Sequence, residues 1–408
     1  MDKEQGKPPL TPLQKIKQGY VDCLNLSLDD QLLPDYLISI LVSNLTPALD
    51  EPVWGHIIGP PSTSKTESLR PFMESTDCVF VSSMTENALL SGYTTDDGED
   101  PSLILKLNHK ILIWKDLTTL INDNPQKVSK ILGDLRDAYD GTCAKPSGKC
   151  GLRTYVSKFG VLAAVTNSID AFSEDNQQLG ERFVSFRTYR YATTAEQDIA
   201  FLHHVKKSTR NKNVWRATLR STVLTELARI KQYAVTLKEM PYMTQAQERQ
   251  LMVMSYLLSQ LRTTPVKGQP ADAEMGSRVA QQLYNIGCAH AISDFRTNWD
   301  ETDMEFIRRV VIDTFTVPRR RLLIAMYGNP STTSVSLDIK KLAILSRMPQ
   351  QYLTSTLIQW RYCNLISSLT QGESTLFSLT PEVRKLITEC KLLHTGPHMP
   401  TKTNPKDS

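Results

Sequence analysis

No two of the seven cysteines in this 408-residue chain form a CxxC pair, and no group of histidines completes a metal-ligand set. Cys23, Cys78, Cys143, Cys150, Cys288, Cys363 and Cys390 are odd in number and scattered. That argues against a disulfide framework or a zinc site and fits a reducing compartment. Cys143 and Cys150, the closest pair, are expected in a loop. Long apolar runs are also missing, since Leu37–Val42 and Val161–Val165 are far too short to span a bilayer. The N-terminal stretch MDKEQGKPPLTP has no apolar signal segment. A soluble, cytoplasmic chain with no membrane association is therefore expected. Nor is there an excess of one charge: the net charge is +4, so composition alone does not mark a nucleic-acid binder.

What is present is ordinary globular composition, 40% hydrophobic and 22% charged, on a chain long enough for two or three domains. Residues 1–26 read as a flexible arm, and no internal repeat is visible. The spacing of Leu32, Leu33, Tyr36, Leu37, Ile40 and Leu41 predicts a helix from Ser27, a suitable N-cap, to Asn44. Short apolar strands then alternate with helices: Trp54–Ile58, Val79–Ser82, Ile111–Trp114, Val161–Val165 and Phe183–Arg187. Continuous apolar strands in that rhythm predict an α/β fold, a parallel sheet covered on both faces, over residues 27–190. Residues 191–300 read as mostly helical, interrupted at Pro265–Pro270. Residues 301–393 read as short helices and turns, and 394–408 as a disordered, Pro-, Thr- and Lys-rich tail.

The most informative segment is Gly59-Pro60-Pro61-Ser62-Thr63-Ser64-Lys65-Thr66. It follows a predicted strand and opens a predicted helix, Glu67–Phe72, which is the setting a phosphate-binding loop needs. Backbone N–H groups and the helix dipole favour an anion there. Lys65 is placed to reach the β- and γ-phosphates of ATP, and Thr66 to hold Mg²⁺ through its hydroxyl. Ser64 stands where the usual pattern has glycine, so a left-handed backbone at that position carries an extra steric cost. About fifty residues later, Ile111-Leu112-Ile113-Trp114 runs into Lys115-Asp116. An acid at the end of an apolar strand can hold the metal or polarise the attacking water. Two acids in tandem are usual; here Lys115 takes the first place and Asp116 the second. A fourth strand ends in Thr166-Asn167, small polar residues suited to sensing a γ-phosphate. Arg182, just before the last core strand, is suited to stabilising the charge that develops on phosphoryl transfer.

In this order and spacing, GPPSTSKT, ILIWKD, VLAAVTN and LGERF resemble the core of AAA+ ATPases. Among these they resemble the minichromosome-maintenance (MCM) helicases and the MCM-like ATPases of phages and mobile elements. Ser277-Arg278, Leu283 and Ala289-His290-Ala291 are similar to the sensor-2 segment of the same helicases. The match covers roughly residues 50–295. The resemblance implies an αβα P-loop core, a helical lid over 191–300, and a homo-oligomer, usually a hexameric ring, with ATP at subunit interfaces. It places sensor 1 at Asn167, the arginine finger at Arg182 and sensor 2 at Arg278.

Three regions are candidates for contact with DNA. Residues 141–160 carry Lys145, Lys149, Arg153 and Lys158 with turn-forming Pro146, Gly148 and Gly151. A basic hairpin there suits tracking of a single strand's phosphates in a ring's central channel, although a solvated loop has the same composition. Residues 201–220 hold Lys206, Lys207, Arg210, Lys212, Arg216 and Arg220 around Trp215, which reads more simply as a solvated helix. Ser336–Ser346 and Tyr352–Trp360, joined by a turn at Met348-Pro349-Gln350-Gln351, suggest a helix-turn-helix, winged-helix-like domain within 301–393. Gln350, Gln351, Thr354, Ser355 and Gln359 are its candidate base-reading side chains, and Arg319-Arg320-Arg321 its phosphate contacts; a protein-binding role fits nearly as well.

The expected function is ATP hydrolysis coupled to DNA, as a nucleoid-associated replication-type helicase of phage or mobile-element origin with replication or recombination partners. The alternative is a regulatory ATPase that assembles on DNA with ATP and recruits a partner without unwinding.

Overall fold

The computed structural model describes residues 9–24, 26, 30–61, 63–147, 151–175, 182–188, 211–266, 269–328 and 335–393. Ser27, Ser62, Gly148, Lys149, Cys150, Lys206, Lys207, Arg210 and the tail 394–408 lie outside them. The chain divides into two compact units that do not follow each other in sequence. One comprises Met1–Asn167, Arg187–Tyr242 and Asn285–Trp299, the other Ser168–Phe186, Met243–Tyr284 and Asp300–Ser408.

The fold is α/β, built on a five-stranded sheet of β1 (Trp54–Ile58), β2 (Cys78–Val81), β3 (Ile111–Trp114), β6 (Gly160–Val165) and β7 (Phe183–Arg187). The strand order is β2-β3-β6-β1-β7. The pairs β2–β3, β3–β6 and β6–β1 are parallel, with Ile113 opposite Leu162 and Ile57 opposite Ala164. In β1, β3, β6 and β7 every residue is buried, so both faces of those strands are covered. β2, at the edge, is only half-buried. The five expected strands lie where their apolar runs predict, within a residue or so at each end.

The first unit departs from expectation at its start. Residues 12–24 are not a flexible arm. They form helix Pro12–Leu24, whose Leu13, Ile16 and Tyr20 are buried at helical spacing and which packs on helix Lys212–Ala234. The Tyr20 hydroxyl donates to Ser68 O at 2.7 Å. The next helix begins at Leu33, with proline in its first turn, and not near Ser27. Nearly all of this helix, Leu33–Leu45, is buried, including Asp35, whose Oδ1 is 2.9 Å from Lys17 Nζ and 3.0 Å from His290 Nε2. His290, part of the Ala-His-Ala motif, thus has a structural partner. Cys143, expected in a loop, is buried on β4 (Thr142–Ser147).

Apart from the residues of β7, the described residues of the second unit up to Tyr327 are mainly helical. Helices Gln245–Arg262 and Glu301–Thr314 open with reciprocal capping boxes at Thr244/Gln247 and Asp300/Asp303. Residues 335–393 add structure that the reading as helices and turns omits. β8 (Leu337–Asp338), β9 (Ile366–Gln371) and β10 (Ser374–Leu379) make an antiparallel sheet in the order β8-β10-β9. Between β8 and β9 lie helices Ile339–Ser346 and Gln350–Tyr362. The first is capped by Asp338, whose side chain accepts from Lys341 N, rather than by Ser336. The connection is Arg347-Met348-Pro349, with Arg347 left-handed (φ 56°, ψ 43°); Gln350 and Gln351 already belong to the second helix.

Candidate functional site

The phosphate-loop candidate leaves the middle of the sheet. β1 runs into Gly59, whose N–H donates to Val165 O at 3.2 Å, while Thr188 N–H donates to Ile58 O at 2.8 Å. A Cβ at position 59 would lie 2.0 Å from Thr188 Oγ1 and 3.0 Å from Thr63 Oγ1, so close approach requires glycine there. Pro60 and Pro61 have no N–H to offer, so the loop's donors are those that follow them. Ser64 has φ 60° and ψ 11°, the left-handed conformation expected to be costly for serine. Helix Lys65–Leu69 starts directly after it, with Ser68 N–H donating to Ser64 O at 2.9 Å.

Lys65 turns back over the loop. Its Nζ donates to Gly59 O and Pro60 O, both at 2.6 Å, and lies 3.4 Å from Thr63 Oγ1. Burial lowers the Lys65 pKa below the usual lysine value, and the charge of Asp116 acts in the opposite direction. The charge of Asp116 thus acts on Lys65 although fifty residues separate them. Asp116 is exposed; its Oδ1 accepts from Thr118 N at 3.0 Å. Thr118 in turn ties β3 to β6: its Oγ1 accepts from Thr166 N at 3.1 Å and lies 3.4 Å from Thr166 Oγ1. Asn167, next to it, is exposed, as is Thr66. Since β6 lies between β1 and β3, Thr166 and Asn167 emerge between the loop and Asp116. All of them stand at the carboxyl ends of parallel strands, where open α/β sheets place ligands.

Behind the loop, Glu67 is gripped by cations. Arg216 Nε donates to Glu67 Oε2 at 2.9 Å and its Nη2 to Oε1, while Arg70 Nε lies 3.2 Å and Lys212 Nζ 3.9 Å away. Burial pushes the Glu67 carboxyl up, but the Arg216 hydrogen bond and the three cations outweigh it and hold it below the usual range. Arg220 pairs with Glu74 and Lys231 with Asp77. The described cations of the second basic stretch, Lys212, Arg216 and Arg220, are thus matched to Glu67 and Glu74. Its residue types did not disclose this, because the partners lie some 150 positions earlier.

Arg182 and Arg278 belong to the second unit. Arg182 is 8% exposed, and its carbonyl accepts from Gln282 Nε2 at 2.8 Å. Arg278 is half-buried and pairs with Glu274 at 3.2 Å.

The expected basic hairpin forms from β4 and β5 (Gly151–Val156), with Lys145 opposite Arg153. Both cations turn inward. Lys145 donates to Leu90 O and lies 3.9 Å from Asp134. Arg153 donates to Asp100 at 2.7 Å, to Tyr93 O at 2.9 Å and to Thr94 Oγ1. The outward side carries Leu152 and Val156, both strongly exposed. In helix Gln350–Tyr362, Gln350, Gln351, Thr354 and Ser355 are exposed. Gln359 is not a reader. It is fully buried and clasps the backbone of Ala271, accepting from its N–H at 2.9 Å and donating to its carbonyl at 2.7 Å. Arg319 is likewise unsuited to phosphates: it is buried and donates to the carbonyls of Leu261 and Thr263 at 2.8 and 2.6 Å. Arg320 pairs with Asp313, which leaves Arg321 exposed.

Among the described residues no group of His, Cys, Asp and Glu is arranged to hold a metal by itself, and no helix is long and apolar enough to cross a membrane. No protein-family model matches the chain, and no curated protein matches it.

Proposed function

We propose that the loop Gly59–Thr66 holds the phosphates of ATP, and that the chain is an ATP-hydrolysing, oligomeric motor of the AAA+ type acting on DNA. The observation that carries this reading is the sequence of strand ends: a glycine-opened loop after β1, an acid after β3, and polar Thr166-Asn167 after the strand between them. Lys65 would meet the β/γ-phosphates, with the N–H groups after Pro61 as further donors. Thr66 and Asp116 fit a Mg²⁺ ion, which would supply charge neutralisation of the phosphates. Asp116 would also orient the attacking water. Arg182 is assigned to a neighbouring subunit's site, a role that requires its guanidinium to turn outward on assembly, and Arg278 to sensing of the nucleotide.

For DNA, support comes from the two helices Ile339–Ser346 and Gln350–Tyr362 followed by the β9–β10 hairpin, the layout of a winged helix. No carboxylate occurs between Asp338 and Glu373 within this segment, and the acids that meet the second helix, Glu174 and Asp272, accept from Tyr352 and Tyr362. The regulatory reading, ATP-dependent assembly without unwinding, is favoured by Lys115 in the acid pair and by the internal pairing of Lys145 and Arg153. Strand displacement on a forked duplex separates the two.

The loop itself is tested with Lys65→Ala. The variant should keep its circular dichroism and melting curve and lose ATP affinity by about a hundredfold or more, the size expected for a charged hydrogen-bonding group facing phosphate. Wild-type affinity in the folded variant would overturn the assignment.

A further inference from the structure

We propose that Thr188, the residue after β7, is a positioning residue that seats the loop Gly59–Thr66. The inference deepens the nucleotide reading and rests on it for its effect on affinity, but its geometry stands without nucleotide. Thr188 is 3% exposed. Its N–H donates to Ile58 O at 2.8 Å, which extends the strand contact by one residue and fixes where its side chain points. The hydroxyl oxygen then lies 3.3 Å from Ile58 O and 3.2 Å from Thr63 Oγ1. It also fills the space in which a Cβ on Gly59 would sit. The absence of a side chain at position 59 and the hydroxyl at position 188 are two halves of one fit.

Proton accounting shows why the hydroxyl matters. Thr63 Oγ1 is 2.8 Å from Pro60 O, 3.2 Å from Thr188 Oγ1 and 3.4 Å from Lys65 Nζ. Thr63 donates to Pro60 O and accepts from both Thr188 and Lys65, while Ile58 O keeps the Thr188 N–H as its donor. Every group is then satisfied, and Thr188 fixes Thr63, through which it acts on Lys65. A valine at position 188 keeps the N–H bond to Ile58 and nearly the same volume, but leaves Thr63 without that partner. A serine keeps the hydroxyl.

The test uses the full chain and two readouts. Without nucleotide, amide exchange of residues 63–66 should be faster in Thr188→Val and near wild type in Thr188→Ser. With a fluorescent ATP analogue and Mg²⁺, Thr188→Val should bind about three- to tenfold more weakly, the span of one neutral hydrogen bond, and Thr188→Ser about as wild type. In a Thr63→Val background the Thr188→Val change should cost no further affinity, because the effect passes through Thr63. Unchanged exchange, equal losses in the valine and serine variants, or additive losses in the double variant would each overturn the proposal. Faster exchange in a protein whose wild type binds no ATP analogue would support the seat and overturn the nucleotide reading alone. Should Thr188→Val fail to fold, Thr188→Ala removes the hydroxyl without adding bulk, and the same comparisons decide.

Discussion

The loop Gly59–Thr66 and the hairpin β4–β5 both attract notice for their cations, and they differ in what those cations touch. Lys65 is satisfied by carbonyl oxygens, neutral acceptors that leave its charge available to an anion. Arg153 is bound to the carboxylate of Asp100 at 2.7 Å, and Lys145, which donates to Leu90 O, has that of Asp134 at 3.9 Å, so an acid already stands beside each before any ligand arrives. A window rich in Lys and Arg therefore does not by itself measure an anion-binding surface. The partner's charge decides, and the partner is often distant in sequence. Asp100 makes the point further: it also accepts from Tyr155 OH at 2.8 Å, Ser91 Oγ at 3.0 Å and Ser102 N at 2.9 Å. Arg153 is thus the keystone of a cluster that pins residues 91–102 against the hairpin.

The largest effect expected from this contrast is on stability. Arg153→Ala strips Asp100 of its cation and frees Tyr93 O and Thr94, and should cost about 3 kcal/mol, as removal of one partner from a mostly buried ion pair does. If the chain binds DNA as proposed, the variant should keep the wild-type slope of log affinity against log salt. A slope reduced by about one unit, with unchanged melting, would instead identify a phosphate contact and reverse the contrast.

The same contrast explains what was legible in the sequence. β1, β3 and β7 were found at their observed bounds because a parallel strand covered on both faces is a continuous apolar run, a signal that needs no partner to be read. The left-handed turn at Ser64 followed from the loop pattern in the same way. Helix Pro12–Leu24 was missed because its buried stripe is narrow and lies in a polar background. β9 and β10, written ISSLTQ and STLFSL, lack the apolar run of a core strand. Gln359 and Arg319 escape a local reading for a related reason. Both are polar residues buried by bonds to backbone carbonyls or amides of another segment, at Ala271 or at Leu261 and Thr263. No local pattern announces such bonds. Thr188 is the same case in the site itself, 125 positions from Thr63.

Acid sharpens the comparison. His56 on β1 is buried, and its pKa is lowered to about 3 by burial first and then by the charge of Arg187. A histidine held neutral contributes stability that is complete above its unfolded value near 6.5 and is lost as pH falls below it, because the unfolded chain then binds the extra proton. The loss should reach about 2 kcal/mol at pH 5. Asp100 is held well below the usual carboxylate range: burial raises it, but the hydrogen bonds from Ser102, Tyr155 and Ser91 together outweigh that. Its contribution is present above the unfolded value and is lost only below about pH 4. Urea melts between pH 7 and 5 should therefore show a fall that His56→Gln flattens and Asp100→Asn does not. A fall of the same size in His56→Gln would place the titrating group elsewhere.

The smallest expected effect concerns the backbone of the two regions. The first residue of β5, Gly151, has φ +71°, where glycine carries no penalty, whereas the loop has φ 60° at Ser64, a side chain held in the left-handed region. A Cβ there costs roughly 1 kcal/mol or slightly more, and glycine returns part of the gain through its greater freedom in the unfolded chain. Ser64→Gly should thus stabilise by about 0.5 kcal/mol, read as a rise in the urea midpoint at constant slope. Arg347, at φ 56° after helix Ile339–Ser346, has a similar conformation far from the loop in sequence and provides the control. Both glycine variants should gain stability, but only Ser64→Gly should also change ATP affinity, because only there does the strained residue precede the lysine. A loss of stability in Ser64→Gly would mean that the serine side chain offsets its strain with an interaction in the loop. The contrast between the unstrained Gly151 and the strained Ser64 would then fail.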